Sequence, residues 1–187
     1  DALYNQALDA LLQMQLNVRS DDLPAYDEQR LVAEMELMPT WFFERHLGFT
    51  PACEQWDVIE SAFRALIDNA VTQAQVFVHR DYHSRNLMIS DSGQPGILDF
   101  QDAVRGPLTY DLVSILRDCY IAWPDERVYA WAESFRQRAE AAGLPTGTAN
   151  RFRRAFDLMG LQRHLKVLGI FCRLYYRDGK AGDLNDL

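Results

Sequence analysis

One short strand-like region, set between long stretches of helical periodicity, limits the folds that this chain can adopt. On both sides of it, apolar residues recur at the three- and four-residue spacing of amphipathic helices. The predicted strands are residues 75–79, 87–90 and 96–100. Turn-forming residues at 91–95 predict that the last two strands pair as a hairpin. An isolated hairpin is marginal unless it packs on helices, so the sequence predicts a mainly α domain with a small central β hairpin.

The helical segments have recognisable start and stop signals. Asp27 is a predicted N-cap, Pro39 predicts a break or kink, and Gly143 ends a helix. The predicted helices are residues 3–16, 27–38, 41–47, a stretch after Pro51, and residues 111–120, 125–142 and 150–176. No internal repeat interrupts this order, so we expect a single domain over residues 1–187.

Charge and cysteine usage exclude several classes of protein. The chain has 27 acidic and 19 basic residues, a net charge of −8, and such a domain repels phosphate backbones, so we expect no nucleic-acid partner. The three cysteines, Cys53, Cys119 and Cys172, form no CxxC pair and predict neither a disulfide framework nor a zinc site. No apolar run approaches the ~20 residues that cross a bilayer. Because the N-terminus also lacks a basic secretory signal, we expect a cytoplasmic protein without a membrane partner.

Polar residues cluster at the strand ends, where they can converge. Asp81 and Asn86 lie in a loop between two predicted strands, and Asp99 lies at the end of the third. Phosphoryl transfer needs a group that orients the attacking hydroxyl and accepts its proton, and it needs Mg²⁺ held by hard oxygen ligands. We therefore assign Asp81 as the catalytic base and Asn86 with Asp99 as metal ligands.

Each of these residues also has a plainer interpretation. Asp81 and Asn86 are common turn formers. His79 is expected to be structural, and its spacing from His83 matches a zinc pair only on a helix, which this region is not. Asp111 is either the N-cap of the following helix or a residue that holds the loop.

The motif itself resembles a known catalytic loop. Residues 79–86 match HRDxxxxN at each fixed position, and Asp99-Phe100-Gln101 takes the place of DFG. His83 and the stretch 106–112 are similar to the aminoglycoside phosphotransferase family of small-molecule kinases. Longer stretches, residues 79–88, 99–103, 110–120 and 163–171, are similar to bacterial kinases that phosphorylate the anomeric hydroxyl of N-acetylmuramate and N-acetylglucosamine in cell-wall recycling.

The resemblance implies a fold, cofactors and further site residues. It implies the C-terminal lobe of a protein-kinase-like fold, with the catalytic loop and metal hairpin in residues 75–100, ATP and Mg²⁺ as cofactors, and an amino sugar as substrate. It places the adenine near Met88 and Leu98. An acceptor carboxylate needs a cationic partner, for which an arginine fork is the best geometric match; Arg85 is the first candidate and Arg163 the second.

The phosphate-binding half of such an enzyme is not evident in the chain. The family has an N-terminal β lobe with a phosphate-binding lysine, whereas both lysines here, Lys166 and Lys180, follow the motif. We therefore expect that the ATP-binding N-lobe of the same polypeptide is missing and that this chain alone is inactive. Two alternatives stay open: a kinase for another small molecule such as an aminoglycoside, and a non-catalytic pseudokinase or helical binding module.

Overall fold

Six α-helices, two other helical segments (Met38–His46 and Ser84–Asn86) and two small antiparallel sheets make up the part of the chain that the structure describes. The structure is a computed structural model and describes residues 2–90 and 95–180. The helices are α1 (Ala2–Asn17), α2 (Glu28–Met35), α3 (Cys53–Val71), α4 (Tyr110–Leu116), α5 (Asp125–Ala141) and α6 (Ala149–Asp178). The strands are β1 (Gln75–Val78), β2 (Leu87–Ile89), β3 (Pro95–Ile97) and β4 (Val104–Pro107).

The start of α2 follows the sequence signals, and α2 ends at Met35, before Pro39, where the sequence predicts a break or kink. The Asp27 side chain accepts a hydrogen bond from the Arg30 N–H at 3.1 Å, so Asp27 caps α2 as predicted. Pro39 lies in the first turn of a π-helical segment, Met38–His46, where the missing proline N–H costs little. Instead of a gap, the chain therefore continues from α2 into a wider helix.

The predicted hairpin is present, and a second strand pair stands beside it. Strand β2 pairs antiparallel with β3, with Leu87 opposite Ile97. Strand β3 is shorter than predicted because Asp99 adopts a left-handed backbone conformation (φ 62°), which an extended strand does not tolerate. The turn predicted at 91–95 lies outside the described residues except for Pro95. Strand β1 pairs antiparallel with β4, a strand that the sequence analysis did not predict.

A single hydrophobic core joins the helices to the strand pair β1–β4. Helix α6 packs against the π-helical segment and against α2, α3, α4 and α5, while α1 and α3 pack on β1 and β4. The largest fully buried side chains include Leu8, Leu31, Met35, Leu66, Tyr82, Tyr110, Leu112, Phe135, Phe156 and Met159. Burial of these side chains holds the loop after β1 between α1, α4 and α6.

Helix α6 approaches the chain after α2 at one point without any intervening side chain. A Cβ atom at Gly169 would overlap the backbone of Leu37, so only glycine fits there. This contact brings α6 and the π-helical segment together backbone to backbone. Within residues 2–90 and 95–180, no helix is both long and apolar enough to cross a membrane.

Candidate active site

Asp111 holds the beginning of the loop that follows β1. Its two carboxylate oxygens accept hydrogen bonds from the backbone N–H groups of His79 at 2.6 Å and Arg80 at 3.0 Å. Burial raises the pKa of the fully buried Asp111 to about 7, and the two backbone donors oppose this rise. Since Thr109 is the N-cap residue of α4, Asp111 serves as a loop holder and not as a cap.

Asp118 holds the other end of the same loop, a role that the sequence analysis did not assign. Its carboxylate accepts hydrogen bonds from the backbone N–H groups of Ser84 at 2.9 Å and Tyr120 at 3.1 Å. Asp111 lies at the start of α4 and Asp118 lies just after its end. Helix α4 therefore fixes residues 79–86, called here the 79–86 loop, at two points.

Asp81 and Asn86 are joined within the 79–86 loop. The Asn86 amide nitrogen donates to the Asp81 carbonyl at 3.0 Å, and the His83 N–H donates to the same carbonyl at 3.0 Å. Because one end of the Asn86 amide is used as a donor, its oxygen faces the other way as an acceptor. The Leu98 N–H donates to the Asn86 carbonyl at 3.0 Å, which brings the residue before Asp99 next to Asn86.

The imidazole of His79 lies close to Asp81, the predicted base, and to Asp99, a predicted metal ligand. Burial lowers the pKa of His79, and Asp81 and Asp99 are both close enough to oppose that effect. The ring is completely buried and packs edge-on against Tyr82, with ring centroids 5.9 Å apart. This buried position agrees with a structural role for His79, and both Asp81 and Asp99 are near enough to act on its charge.

The residues at this point are suited to magnesium. Asn86 and Asp99 offer an amide oxygen and a carboxylate, which are hard donors of the kind that Mg²⁺ takes. No group of three His, Cys, Asp or Glu side chains that could hold a metal by itself occurs in the described part of the chain. Mg²⁺ is commonly bound by one or two protein ligands together with water and substrate phosphates, and this donor pair fits that pattern.

Asp81 opens on a cavity of about 180 Å³, called here the Asp81 cavity. Its lining residues are Arg80, Asp81, His83, Tyr110, Cys119, Tyr120, Arg163, Lys166, Val167, Ile170, Phe171 and Leu174. Arg163, the second candidate for a substrate contact, is among them. Arg85, the first candidate, is not: it is exposed, and its guanidinium carbon stacks 3.5 Å from the Tyr120 ring centroid. The structure thus brings Arg163 and Asp81 to one cavity and leaves Arg85 outside it.

A buried charge cluster supports the wall of this cavity. The Glu34 carboxylate accepts from Arg80 at 2.5 Å, lies 3.2 Å from the Lys166 ammonium, and accepts from the Tyr26 hydroxyl. Lys166 also donates to the Tyr110 hydroxyl at 2.9 Å. Burial alone would raise the pKa of Glu34, but Lys166 and Arg80 together hold that pKa below its ordinary value. Glu34 is therefore ionised and shared by two cations.

The two residues predicted near the adenine occupy different surroundings. Met88 lines an apolar cavity of about 250 Å³ between the hairpin and α1, together with Leu87 and Ile89. Leu98 does not line that cavity. Both side chains are about half exposed, at 56% for Met88 and 45% for Leu98.

Comparison with known proteins gives a consistent result. A family model described as "Phosphotransferase enzyme family" matches residues 1–151. The chain is 47% identical over 188 residues to a Pseudomonas putida protein named N-acetylmuramate/N-acetylglucosamine kinase, and 45% identical to a Pseudomonas aeruginosa protein of the same name. Each alignment covers all of this chain and 55% of the relative. The chain thus spans about half the length of these relatives.

A solved structure shows the same fold. The crystal structure of an ADP-bound aminoglycoside phosphotransferase superposes with a TM-score of 0.57 at 17% identity, covering 99% of this chain and 61% of that one. The predicted fold class is therefore confirmed: the chain is a mainly helical part of an aminoglycoside phosphotransferase-like fold, with small antiparallel sheets at its centre.

Proposed function

The chain belongs to the phosphotransferase enzyme family, and on that basis we propose that it carries the catalytic centre of an ATP-dependent small-molecule kinase. We propose that its acceptor is the anomeric hydroxyl of N-acetylmuramate or N-acetylglucosamine. The observation that carries the proposal is that Asp81 lines a small cavity and is hydrogen-bonded to Asn86, which lies with Asp99 at the open end of the hairpin. The cavity is smaller than the roughly 300–1,000 Å³ of drug-sized sites, which suits a single sugar.

In this proposal Asp81 orients the acceptor hydroxyl and takes its proton. The hydroxyl oxygen forms a bond to the γ-phosphorus of ATP, the bond from that phosphorus to the β–γ bridging oxygen breaks, and ADP leaves. The proton moves from the hydroxyl to the Asp81 carboxylate. An anomeric hydroxyl is more acidic than an ordinary alcohol, so a carboxylate that is a weak base suffices.

Asn86 and Asp99 would hold magnesium. A bound Mg²⁺ neutralises charge that develops on the phosphate oxygens during transfer. The chain's own contribution is to fix the two metal ligands. A hydrogen bond from the Asn86 side-chain amide to the Asp81 carbonyl holds Asn86, and a hydrogen bond from the Leu98 N–H to the Asn86 carbonyl holds the residue before Asp99. Both proposed metal ligands are therefore positioned relative to Asp81, the proposed base.

The nucleotide would lie against the exposed apolar side of the hairpin. Met88, Ile89, Leu98 and Phe100 are 45–71% exposed, and neighbouring exposed apolar side chains commonly mark a contact surface. We propose that the adenine reaches Met88 and Leu98, and that a further lobe of the same polypeptide covers the phosphates. That the relatives are nearly twice as long supports this, and residues 1–187 by themselves are then expected to bind ATP weakly.

The acceptor assignment rests on the named relatives and on the charge of the cavity. Two relatives at 45–47% identity carry the name N-acetylmuramate/N-acetylglucosamine kinase. The cavity wall contains three cationic residues, Arg80, Arg163 and Lys166. Glu34 offsets part of the charge of Arg80 and Lys166, and Asp81 is anionic, so the cavity has a small excess of positive charge. That excess disfavours a polycationic aminoglycoside more than a neutral or anionic sugar.

The test supplies the full-length natural protein containing this chain with ATP, Mg²⁺ and one sugar at a time. We expect phosphorylation of N-acetylmuramate and N-acetylglucosamine, with the phosphate located on C1 by ³¹P NMR. An Asp81→Asn protein serves as the matched control for contaminating kinases. A product phosphorylated on C6, or turnover of aminoglycosides only, would refute the acceptor assignment, and no turnover of any sugar or aminoglycoside would favour a non-catalytic module.

A further inference from the structure

Arg163 is a buried cation without a partner. Its side chain belongs to a residue that is only 4% exposed. Within residues 2–90 and 95–180 it forms no ion pair, and its Nη1 atom is shielded from solvent without a hydrogen-bond acceptor. Burying a guanidinium nitrogen without an acceptor is costly, and an anion bound at this position would remove that cost.

The other cations of the Asp81 cavity differ from Arg163 in this respect. Arg80 and Lys166 share the Glu34 carboxylate at 2.5 and 3.2 Å. Asp111 is close enough to Arg163 for the guanidinium to lower its pKa, but both Asp111 oxygens already accept backbone hydrogen bonds. Among the residues described, Arg163 is thus the one cavity-lining cation that has no carboxylate at ion-pair distance.

We infer that Arg163 binds the carboxylate of an anionic acceptor and so makes the site prefer N-acetylmuramate to N-acetylglucosamine. This inference rests on the proposed function. N-acetylmuramate differs from N-acetylglucosamine by a lactyl ether that carries a carboxylate, and it is the anionic member of the pair. A planar guanidinium matches a carboxylate with two parallel hydrogen bonds.

The cavity also explains why one molecule can satisfy both groups. Asp81 and Arg163 line the same space of about 180 Å³, so a sugar with its anomeric hydroxyl at Asp81 has other substituents within reach of Arg163. A free anion bound at Arg163 gains one contact only, whereas an anionic sugar gains both. The acceptor is held at two points, and the carboxylate sets which end faces Asp81.

The test compares Arg163→Gln and Arg163→Lys with the parent full-length protein. The matched control is Arg154→Gln, since Arg154 is an exposed arginine of the same helix. Loss of a charge-assisted contact predicts a kcat/KM for N-acetylmuramate that is about 10- to 100-fold lower in Arg163→Gln, chiefly through KM. For N-acetylglucosamine we expect a change within about threefold. Arg163→Lys keeps the positive charge but loses the planar guanidinium, so its kcat/KM for N-acetylmuramate should lie between those of the parent and Arg163→Gln.

The possible results separate this inference from the proposed function. If the parent phosphorylates neither sugar, the proposed function fails. If the parent phosphorylates both and Arg163→Gln loses both equally, Arg163 acts on the reaction in general and the carboxylate assignment is overturned. A parent that accepts both sugars and a variant that keeps its preference for N-acetylmuramate would overturn it too.

Two measurements besides activity complete the test. D-lactate, which carries the same carboxylate, should compete with N-acetylmuramate in the parent and not in Arg163→Gln; equal competition in parent and variant would refute the inference. The melting temperature of Arg163→Gln should equal or exceed the parent's, because an unpaired buried charge is removed. A clearly lower melting temperature would identify Arg163 as a structural residue and refute the inference.

Discussion

Replacing Asp111 by alanine should destabilise the protein by releasing the start of the 79–86 loop. The substitution leaves the backbone N–H groups of His79 and Arg80 without their acceptor. Each buried donor left unsatisfied costs about 1–3 kcal/mol, so the free energy of unfolding should fall by roughly 2–6 kcal/mol. Out of the 5–15 kcal/mol typical of a domain, that is a large share. The exposed Asp57 of α3 gives the control: Asp57→Ala should change stability by less than about 0.5 kcal/mol.

The effect of Asp111→Ala should depend on pH in a definite direction. Burial raises the pKa of Asp111 to about 7 in the folded protein, from 3.8. Because the folded pKa is the higher one, the stability that this group contributes is complete below about pH 4 and is lost as the pH rises through about 7. About 2 kcal/mol of that loss falls between pH 5.5 and 8. The stability difference between parent and variant should therefore be largest at pH 5.5 and narrow towards pH 8.

The assay is urea denaturation followed by tryptophan fluorescence at pH 5.5, 7 and 8. Equal urea slopes for parent and variant would show that the comparison concerns stability alone. Two results would refute the reasoning: a variant as stable as Asp57→Ala at pH 5.5, which would mean that the two backbone bonds contribute nothing, or a difference that widens with pH, which would contradict the raised pKa.

Three further substitutions test the catalytic and structural assignments. In the full-length protein, Asp81→Asn should keep nucleotide binding but lower kcat by at least ~10²-fold, the scale of losing a positioned base; kcat within a few fold of the parent would count against that role. Asp99→Ala should abolish Mg²⁺-dependent turnover because a proposed metal ligand is lost, and a variant whose activity saturates at the same Mg²⁺ concentration as the parent's would show that Asp99 is not a ligand. Glu34→Gln should lower the free energy of unfolding by about 3–5 kcal/mol, since Arg80 and Lys166 lose their shared carboxylate. Urea denaturation measures this, and an unchanged midpoint would contradict the charge cluster.

Local signals in the sequence were enough for the helices and the hairpin. The periodicity of α1 to α6 and the alternation around Leu87 and Ile97 depend only on neighbouring residues. Strand β4 was missed because Val104-Arg105-Gly106-Pro107 contains the two residues that argue most strongly against a strand. It pairs with β1 all the same, since Gly106 packs closely on Tyr26 and Val78, where a Cβ would stand 3.1–3.2 Å away. Tertiary packing outweighed local preference there.

The sequence allows a prediction for the residues around Asp81 that form a local pattern, but not for those that only the fold brings together. The spacing of Asp81, Asn86 and Asp99 is a local pattern, so it could be found without a structure. The cluster of Glu34, Arg80 and Lys166 joins residues up to 132 positions apart and has no local pattern. One signal was available: Glu34 lies on the apolar face of α2 beside Leu31 and Met35, and an acidic residue on a buried face needs a partner.

The role of Asp118 also depends on a contact between residues that are distant in sequence. A carboxylate after a helix end predicts nothing by itself, and its role becomes visible only when its oxygen is seen 2.9 Å from the Ser84 nitrogen. The proposals for Met88 and Leu98 rest on resemblance and the one for Arg85 on the match of a guanidinium to a carboxylate; Met88 lines the apolar cavity beside α1, and Arg85 does not line the Asp81 cavity.

The backbone contact between Gly169 and Leu37 bears on how a pocket of this kind changes during evolution. Since α6 cannot move closer to that segment, and any side chain at position 169 would push it away, the helix that carries Arg163 and Lys166 is fixed in place. A wider or narrower pocket is then reached by exchanging Ile170, Phe171 or Leu174, which line the cavity from the same helix. Relatives with other acceptors should therefore differ by substitutions of these cavity-lining side chains, while the backbone position of α6 and the glycine at position 169 stay the same.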